Sequence, residues 1–342
     1  MKIGLVGYQG SGKTTLFEWL TGMAADPASA HTGQSAMAAV PEPRVKLLCD
    51  IYHPKKVTLA SLELVDTPGL SRTHEGNAAR LAIIREAGCL VLVVAAFGGS
   101  DPLTDLASFR EDLLLADLEI VTGRVERLRE SVKKPRPNRE QELAELAALE
   151  RVLAALEAGT PLTADKMSEE DARATRSFRL MWEKPMLVIV NIADDDDPAR
   201  FNRPATAGEP QMLAARVGLE RELERMAPSD RAEFEQELGL TGSRRDELLR
   251  ALLDASGQML YFTAGEKEVR TWMLRKGGTA LEAADNVHSD LARGFIRAET
   301  MQVDDLVRLG SEREVKAAHL MRQEPKDYVI RDGDILHIKS GI

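Results

Sequence analysis

The chain has 342 residues, 44% of them apolar and 29% charged, with a formal net charge of −10. That size and texture fit a soluble globular protein of two or three domains with a well-buried core. The acidic balance excludes a global attraction to nucleic acid or to an anionic bilayer, and an aromatic share of 4% argues against a surface built to stack bases.

Cys49 and Cys89 lie far apart, with no C-x-x-C and no histidine at ligand spacing, and read as buried reduced thiols. Met1 leads directly into the first apolar run, which leaves no room for a signal peptide. The longest apolar run, Cys89 to Phe97, is far shorter than the roughly 20 residues that span a bilayer. A cytoplasmic protein without membrane contact is expected.

The apolar run Ile3 to Val6 predicts a first strand. It leads into Gly7-Tyr8-Gln9-Gly10-Ser11-Gly12-Lys13-Thr14, a G-x-x-x-x-G-K-T string, and then into a helix-like stretch from Thr15 to Leu20. Strand before and helix after is the setting of a phosphate-binding loop. Gly7, Gln9, Gly10, Ser11 and Gly12 would turn their backbone N–H groups toward a β-phosphate, with Thr15 at the helix start. Lys13 would reach the β/γ oxygens, and the Thr14 hydroxyl would meet Mg²⁺.

Further apolar runs at Leu59–Val65, Cys89–Ala96 and Met186–Ile192 alternate with segments of helical spacing. They predict an α/β layer, a sheet with helices on both faces. The stretch Lys55 to Val65 begins like an edge strand and ends at Asp66, where α/β folds place ligands. Asp66-Thr67-Pro68-Gly69 is a D-x-x-G string: Asp66 would hold Mg²⁺ through water, and the Gly69 N–H would sense the γ-phosphate. The bland alternative for Asp66 is a strand-end Asx turn. His74, four residues past Leu70, is either a solvated loop histidine or a group that orients water.

From about Asp105 to Gly159 Leu, Glu, Arg and Ala dominate, and Leu143, Leu146, Leu149, Val152, Leu153 and Leu156 repeat at spacings of three and four. Lys133-Lys134-Pro135-Arg136-Pro137-Asn138 interrupts the pattern, since proline cannot continue a helix. Two antiparallel helices with a basic tip are predicted, either packed on the body or protruding as a coiled-coil arm. The Met186–Val190 run ends in Asn191-Ile192-Ala193-Asp194, an N-x-x-D string with Ile192 where a guanine reader has lysine. Asp194 also opens an acidic run, which is usually a solvated loop. A loop from Asp194 to Pro210 is followed by helical segments up to Ser256. Beyond it, period-two segments at Val269–Leu274, Gly294–Glu299 and Ile335–Lys339 predict a small mixed β domain.

Several longer strings give the chain a family resemblance. They are Val40-Pro41-Glu42-Pro43-Arg44, His53-Pro54-Lys55-Lys56-Val57, Asp112–Glu119, Tyr261–Trp272, Gly294–Glu299 and Lys326-Asp327-Tyr328. With the motifs above they resemble the YchF or Obg-like ATPase family over nearly the whole chain. The resemblance implies a nucleotide domain at 1–104 and 180–258, a helical coiled-coil insertion at 105–179, and a TGS-like β-grasp domain at 259–342. It also implies Mg²⁺-dependent hydrolysis of ATP in preference to GTP and association with the ribosome.

RNA contact would fall to the C-terminal domain or the helical arm, without a strong charge signal. Leu70 stands where other GTPases carry a water-orienting Gln, so slow turnover is expected. Gly10 replaces the family's Asn, which leaves potassium dependence open. Ala30-His31-Thr32-Gly33-Gln34 replaces the family's first switch, and Thr32 is the expected second Mg²⁺ contact. A GTP-binding protein of the same fold, or a nucleotide-gated scaffold with negligible turnover, are the alternatives.

Overall fold

A computed structural model of the protein describes residues 1–160, 162, 167–206, 208–237 and 244–341. The first half of the chain forms β1 (Lys2–Val6), α1 (Lys13–Thr21), β2 (Gln34–Ala39), α2 (Arg44–Tyr52), β3 (Val57–Thr58), β4 (Ser61–Asp66), α3 (Asn77–Arg85), β5 (Cys89–Ala96), α4 (Pro102–Ser131) and α5 (Arg139–Glu157). Then come α6 (Glu169–Thr175), β6 (Met186–Ile192), β7 (Gln211–Ala215), α7 (Val217–Arg225), α8 (Pro228–Glu237), α9 (Arg244–Ala255), β8 (Gln258–Ala264) and β9 (Val269–Arg275). The chain closes with α10 (Ala280–Val287), α11 (Ser289–Arg293), β10 (Phe295–Gln302), α12 (Val303–Leu309), α13 (Glu312–Ala317), β11 (Arg322–Glu324) and β12 (Asp334–Ser340). Two compact units result: Met1–Ala36 with Glu63–Arg245, and Met37–Leu62 with Asp246–Ile342.

The first unit is built on a sheet of order β2-β4-β1-β5-β6-β7, parallel from β4 through β7. Its middle strand, β5, reads Cys-Leu-Val-Leu-Val-Val-Ala-Ala and is buried from Cys89 to Ala95, as a strand covered on both faces must be. On one face Val6, Leu92, Val188 and Val190 pack against Phe109 and Leu113 of α4.

The four strands expected here all form. Two more join them: β2, which no apolar run announced, and β7, which falls just past the expected loop, where only helices were expected. Its Gln-Met-Leu-Ala-Ala sequence has no β-branched residue, and pairing with β6 holds it in place.

Helix α4 begins at Pro102, where the Asp101 carboxylate accepts from the N–H groups of Leu103 and Thr104. It runs unbroken for 30 residues. Its first turns belong to the sheet core. Farther on, Val121, Val125 and Leu128 meet Leu149, Val152 and Leu156 of α5 in a separate apolar cluster. Arg124 forks onto both Glu145 oxygens at 2.8 Å across this hairpin, and Lys133, Lys134 and Arg136 stand exposed at its tip. The helix is therefore shared, half packed on the body and half in the hairpin.

The second unit holds a sheet of order β11-β10-β12-β8-β9-β3. β8 and β9 are antiparallel neighbours, and so are β10 and β12, while β12 and β8 run parallel. Phe262, Val269, Met301 and Ile335 fill one core, and Tyr261 donates its hydroxyl to the Ala283 carbonyl at 2.9 Å under α10.

The expected single strand from Lys55 to Val65 divides in two. Val57 and Thr58 pair with Val269 and Arg270 in this sheet, while Ser61–Asp66 joins the other. The break is fixed at Ala60, whose N–H donates to Thr271 Oγ1 at 2.7 Å and whose carbonyl accepts from Val40. Residues 37–62, expected with the nucleotide layer, thus lie in the second unit, as do 246–258.

Candidate nucleotide-binding site

The loop after β1 is shaped by two glycines in close contact with their surroundings. Gly7 has φ 146°, and a Cβ on it would sit 2.4 Å from the Val93 carbonyl oxygen of the neighbouring strand. Gly12, at φ 95°, would bring a Cβ to 2.1 Å from Asn191 Nδ2. No side chain caps the N-terminus of α1, so the first N–H groups of that helix are available to an anion. Gly10, also at positive φ, has open space around it.

Lys13 is only 6% exposed, and its Nζ donates to the Tyr8 carbonyl at 2.7 Å within the same loop. Burial pushes its pKa down to about 8, with the Asp66 carboxylate pulling the other way. Thr14 Oγ1 donates to Asp66 Oδ2 at 2.7 Å, and Asp66 Oδ1 is buried with no partner. The Asp66 carboxyl is held above its ordinary range by burial, against the Thr14 hydrogen bond and the Lys13 charge. Two acceptors are thus arranged beside a buried ammonium, one of them vacant. Ser11 Oγ is likewise buried and unpartnered inside the loop.

The D-x-x-G segment is docked on the loop. The Leu70 N–H donates to the Gly7 carbonyl and the Gln9 N–H to the Leu70 carbonyl, both at 3.0 Å. A Cβ on Gly69 would come within 2.7 Å of Lys13 Nζ and 3.0 Å of the Gln9 nitrogen, so only glycine allows this approach. Leu70 itself is fully buried and packs in the sheet core with Tyr8, Ile84 and Leu90. This residue, named from sequence among the catalytic positions, has its side chain enclosed in that core.

Two other expected residues lie elsewhere. A cavity of about 300 Å³ is lined by Thr14, Asp66, Pro68, Asp26, Ser29 and Gln34, and Thr32 is not among its lining residues. Thr32 borders a different cavity with Lys2, Val65 and Ile83. It sits there because its N–H closes a turn onto the Ser29 carbonyl at 3.1 Å. His74, in left-handed backbone at φ 61°, lies 3.4 Å from Asp112 Oδ1 with its side chain largely exposed, and it does not line the cavity at the Thr14–Asp66 pair. Asn191 does reach the phosphate loop, donating from Nδ2 to the Ser11 carbonyl at 3.2 Å. Asp194 stands exposed in the turn after it, and Ile192 is 2% exposed in the core. Thr15 is half-buried in the first turn of α1, and Gln9 and Gly10 are exposed.

A network that sequence alone does not reveal joins the loop to α4. The Tyr8 hydroxyl donates to Asp112 Oδ2 at 2.9 Å, its ring meets Phe109 edge-on at 5.5 Å, and the Arg72 guanidinium lies 4.5 Å over its face. Arg72 in turn forks onto Asp105, with Nη2 to Oδ2 at 2.7 Å. Burial, then Asp112, raises the Tyr8 phenol well above its usual range. The available signal was the seven-residue spacing of Asp105 and Asp112, which places both carboxylates on one helix face.

No helix among the described residues is long and apolar enough to cross a membrane. Residues 2–123 match the model described as "50S ribosome-binding GTPase". Residues 259–341 match the model of the YchF GTPase C-terminal domain, described as "Protein of unknown function (DUF933)". The chain is 30% identical to the ribosome-binding ATPase YchF of Bacillus subtilis over 99% of each chain. It is 33% identical to Obg-like ATPase 1 of Oryza sativa subsp. japonica, over 100% of this chain and 92% of that one. The solved Schizosaccharomyces pombe YchF GTPase superposes with a TM-score of 0.84 at 28% identity, covering 99% of this chain and 97% of the other. Carrying an intact phosphate loop with its D-x-x-G partner, and similar to these proteins from end to end, the chain belongs to the YchF/Obg-like ATPase family of P-loop nucleoside triphosphatases.

Proposed function

We propose that the protein is a Mg²⁺-dependent purine nucleoside triphosphatase that prefers ATP to GTP and works as a slow nucleotide switch on the ribosome. The observation that carries the hydrolase reading is the Thr14–Asp66 pair at 2.7 Å, with its second carboxylate oxygen buried and free. The donor set suits Mg²⁺, which binds hard oxygens and keeps several waters and phosphate oxygens of its own. Thr14 would hold the ion directly and Asp66 through water. Bound there, the ion would neutralise charge on the β/γ oxygens.

The chain's own groups do the rest in this reading. The turn from Gly7 to Gly12 and the start of α1 cradle the β-phosphate. Lys13 leaves the Tyr8 carbonyl for the β/γ oxygens, and the Gly69 N–H reports the γ-phosphate. Turnover is slow in this reading because Leu70 is packed in the core and His74 stands largely exposed beside Asp112, so neither aligns the attacking water. ATP and the ribosome enter from relatives named ribosome-binding ATPase, and a ribosome partner works in the cytoplasm. RNA contact would use the exposed basic hairpin tip or the second sheet, where Arg270 lies 3.9 Å over the Trp272 ring.

Titration with ATP and GTP, followed by single-turnover hydrolysis with and without ribosomal subunits, tests the reading. Tight GTP binding without ATP binding would overturn the base preference. The burial of Leu70 favours one second reading, a nucleotide-gated scaffold with negligible turnover. Failure of every ribosomal fraction to accelerate hydrolysis would put that reading ahead.

A further inference from the structure

The carboxyl ends of β6 and β7 finish side by side. Asn191 stands opposite Ala215 in parallel register, and Asn191 is bonded to the phosphate loop through the Ser11 carbonyl. Whatever follows these two strands therefore borders the ground beyond the phosphate loop, where an α/β fold receives the rest of its ligand. After β6 comes the turn Ala193–Asp197, closed by the Asp196 N–H on the Ala193 carbonyl at 3.1 Å, with Asp194 exposed within it. After β7 comes Arg216. It is half-buried, and it donates from Nε at 3.1 Å and from Nη2 at 2.8 Å to a single acceptor, the Asp196 carbonyl. Its Nη1 has no protein partner among the described residues. Ile192, at the position where a guanine reader carries its ring-covering lysine, is sunk in the core and offers nothing to a ligand.

We propose that Arg216 is the positioning residue of the base site: by clamping the Asp196 carbonyl it fixes the Asp194 turn at the sheet edge and so sets which purine is selected. The proposal rests on the nucleotide reading given above and adds the residue that sets its specificity. The chemistry calls for arginine, because two donors in a rigid planar fork hold one carbonyl in one orientation, whereas the flexible lysine stem carries a single rotating ammonium. Without the fork, the turn keeps its own local bond, the Asp196–Arg200 pair at 2.5 Å and the bonds of Asp197 to the Ala199 and Arg200 N–H groups, none of which ties it to β7; the next tie to that strand is at Asn202, whose Oδ1 accepts from the Ala214 N–H at 2.8 Å. The carboxylate of Asp194 then samples many positions relative to a base. The phosphate contacts, made by α1 and the glycine loop, are left intact.

The test is calorimetric titration of the full-length wild type, Arg216→Ala and Arg216→Lys with ATP, GTP and inorganic tripolyphosphate, each with Mg²⁺. In Arg216→Ala the affinity for the preferred nucleotide should fall by about tenfold, the scale of one charge-assisted hydrogen bond, and the ATP-to-GTP ratio should move toward one. Tripolyphosphate should bind as in wild type, which also shows that the variant is folded, and Arg216→Lys should recover only part of the selectivity. An unchanged ATP-to-GTP ratio in Arg216→Ala, or an equal loss for tripolyphosphate, would overturn the proposal. A wild type that binds tripolyphosphate but does not distinguish the two purines would overturn it as well. A wild type that binds none of the three would instead sink the nucleotide reading beneath it.

Discussion

Thr14 Oγ1 and Asp66 Oδ2 lie 2.7 Å apart, joining the first turn of α1 to the end of β4, which sits 52 residues farther along the chain. With the other carboxylate oxygen buried and unpartnered, the pair is poised to exchange its mutual bond for an ion. Asp66→Asn keeps the shape of the side chain and removes its charge. Nucleotide affinity in the variant should lose most of its dependence on Mg²⁺, a change of about tenfold or more, measured by titration with and without the ion. Affinity without Mg²⁺ should change little.

Lys13 predicts a pH dependence of definite sign. Its ammonium has a folded-state pKa lowered to about 8 from an ordinary 10.5, and bound phosphates would favour the charged form. Binding above pH 8 must therefore take up a proton, and affinity for triphosphate should fall by up to about tenfold per pH unit as pH rises past 8. Calorimetry in buffers of different ionisation enthalpy reads that proton directly. The ligand-free protein should show the opposite trend. Between about pH 8 and 10.5 the unfolded chain binds more protons at this site than the folded one, so this group's contribution to stability rises with pH. Lys13→Ala should abolish both effects and cost at least about a hundredfold in triphosphate affinity.

The glycines separate stability from binding. Gly7→Ala drives a Cβ against the Val93 carbonyl, a rigid backbone neighbour, and should lower stability by about 2 kcal/mol or more in denaturant titration. Gly69→Ala meets the movable end of Lys13 at 2.7 Å and the Gln9 backbone at 3.0 and 3.1 Å, a milder backbone contact than the 2.4 Å at Gly7. Its melting temperature should fall less than that of Gly7→Ala while triphosphate affinity drops.

Much of this was written in the sequence, for a physical reason. The phosphate loop follows β1, while Asp66 and Asn191 stand at the ends of β4 and β6, so each site residue inherits its place from the end of a strand that its apolar run predicts. Thr32 and Leu70 escaped that logic. One lies in a segment whose course is set by a turn onto Ser29, and the other by a choice between pocket and core that its hydrophobicity had already made. Asp105 and Asp112 are ordinary helix acids until Arg72 and Tyr8 arrive from distant parts of the chain. β3 was invisible because its partner, β9, begins at Val269.

The Tyr8–Asp112–His74 cluster yields a prediction against the expected role of His74. Largely exposed and 3.4 Å from Asp112, His74 should contribute little to hydrolysis, and His74→Ala should slow single turnover by less than about tenfold, against roughly 10²–10⁴ for a true general base. Tyr8→Phe leaves the nearly buried Asp112 without its phenol donor and should destabilise the fold by about 1–2 kcal/mol, read as a shift in urea midpoint.

The most direct measurement is single-turnover release of phosphate from the γ position of Mg²⁺-ATP by the wild type and by Asp66→Asn, with and without ribosomal subunits. Slow release by the wild type, faster with a ribosomal subunit and absent from the variant, is the result the Lys13–Thr14–Asp66 site requires. Equal release by both proteins, or none from the wild type under any condition, would contradict it.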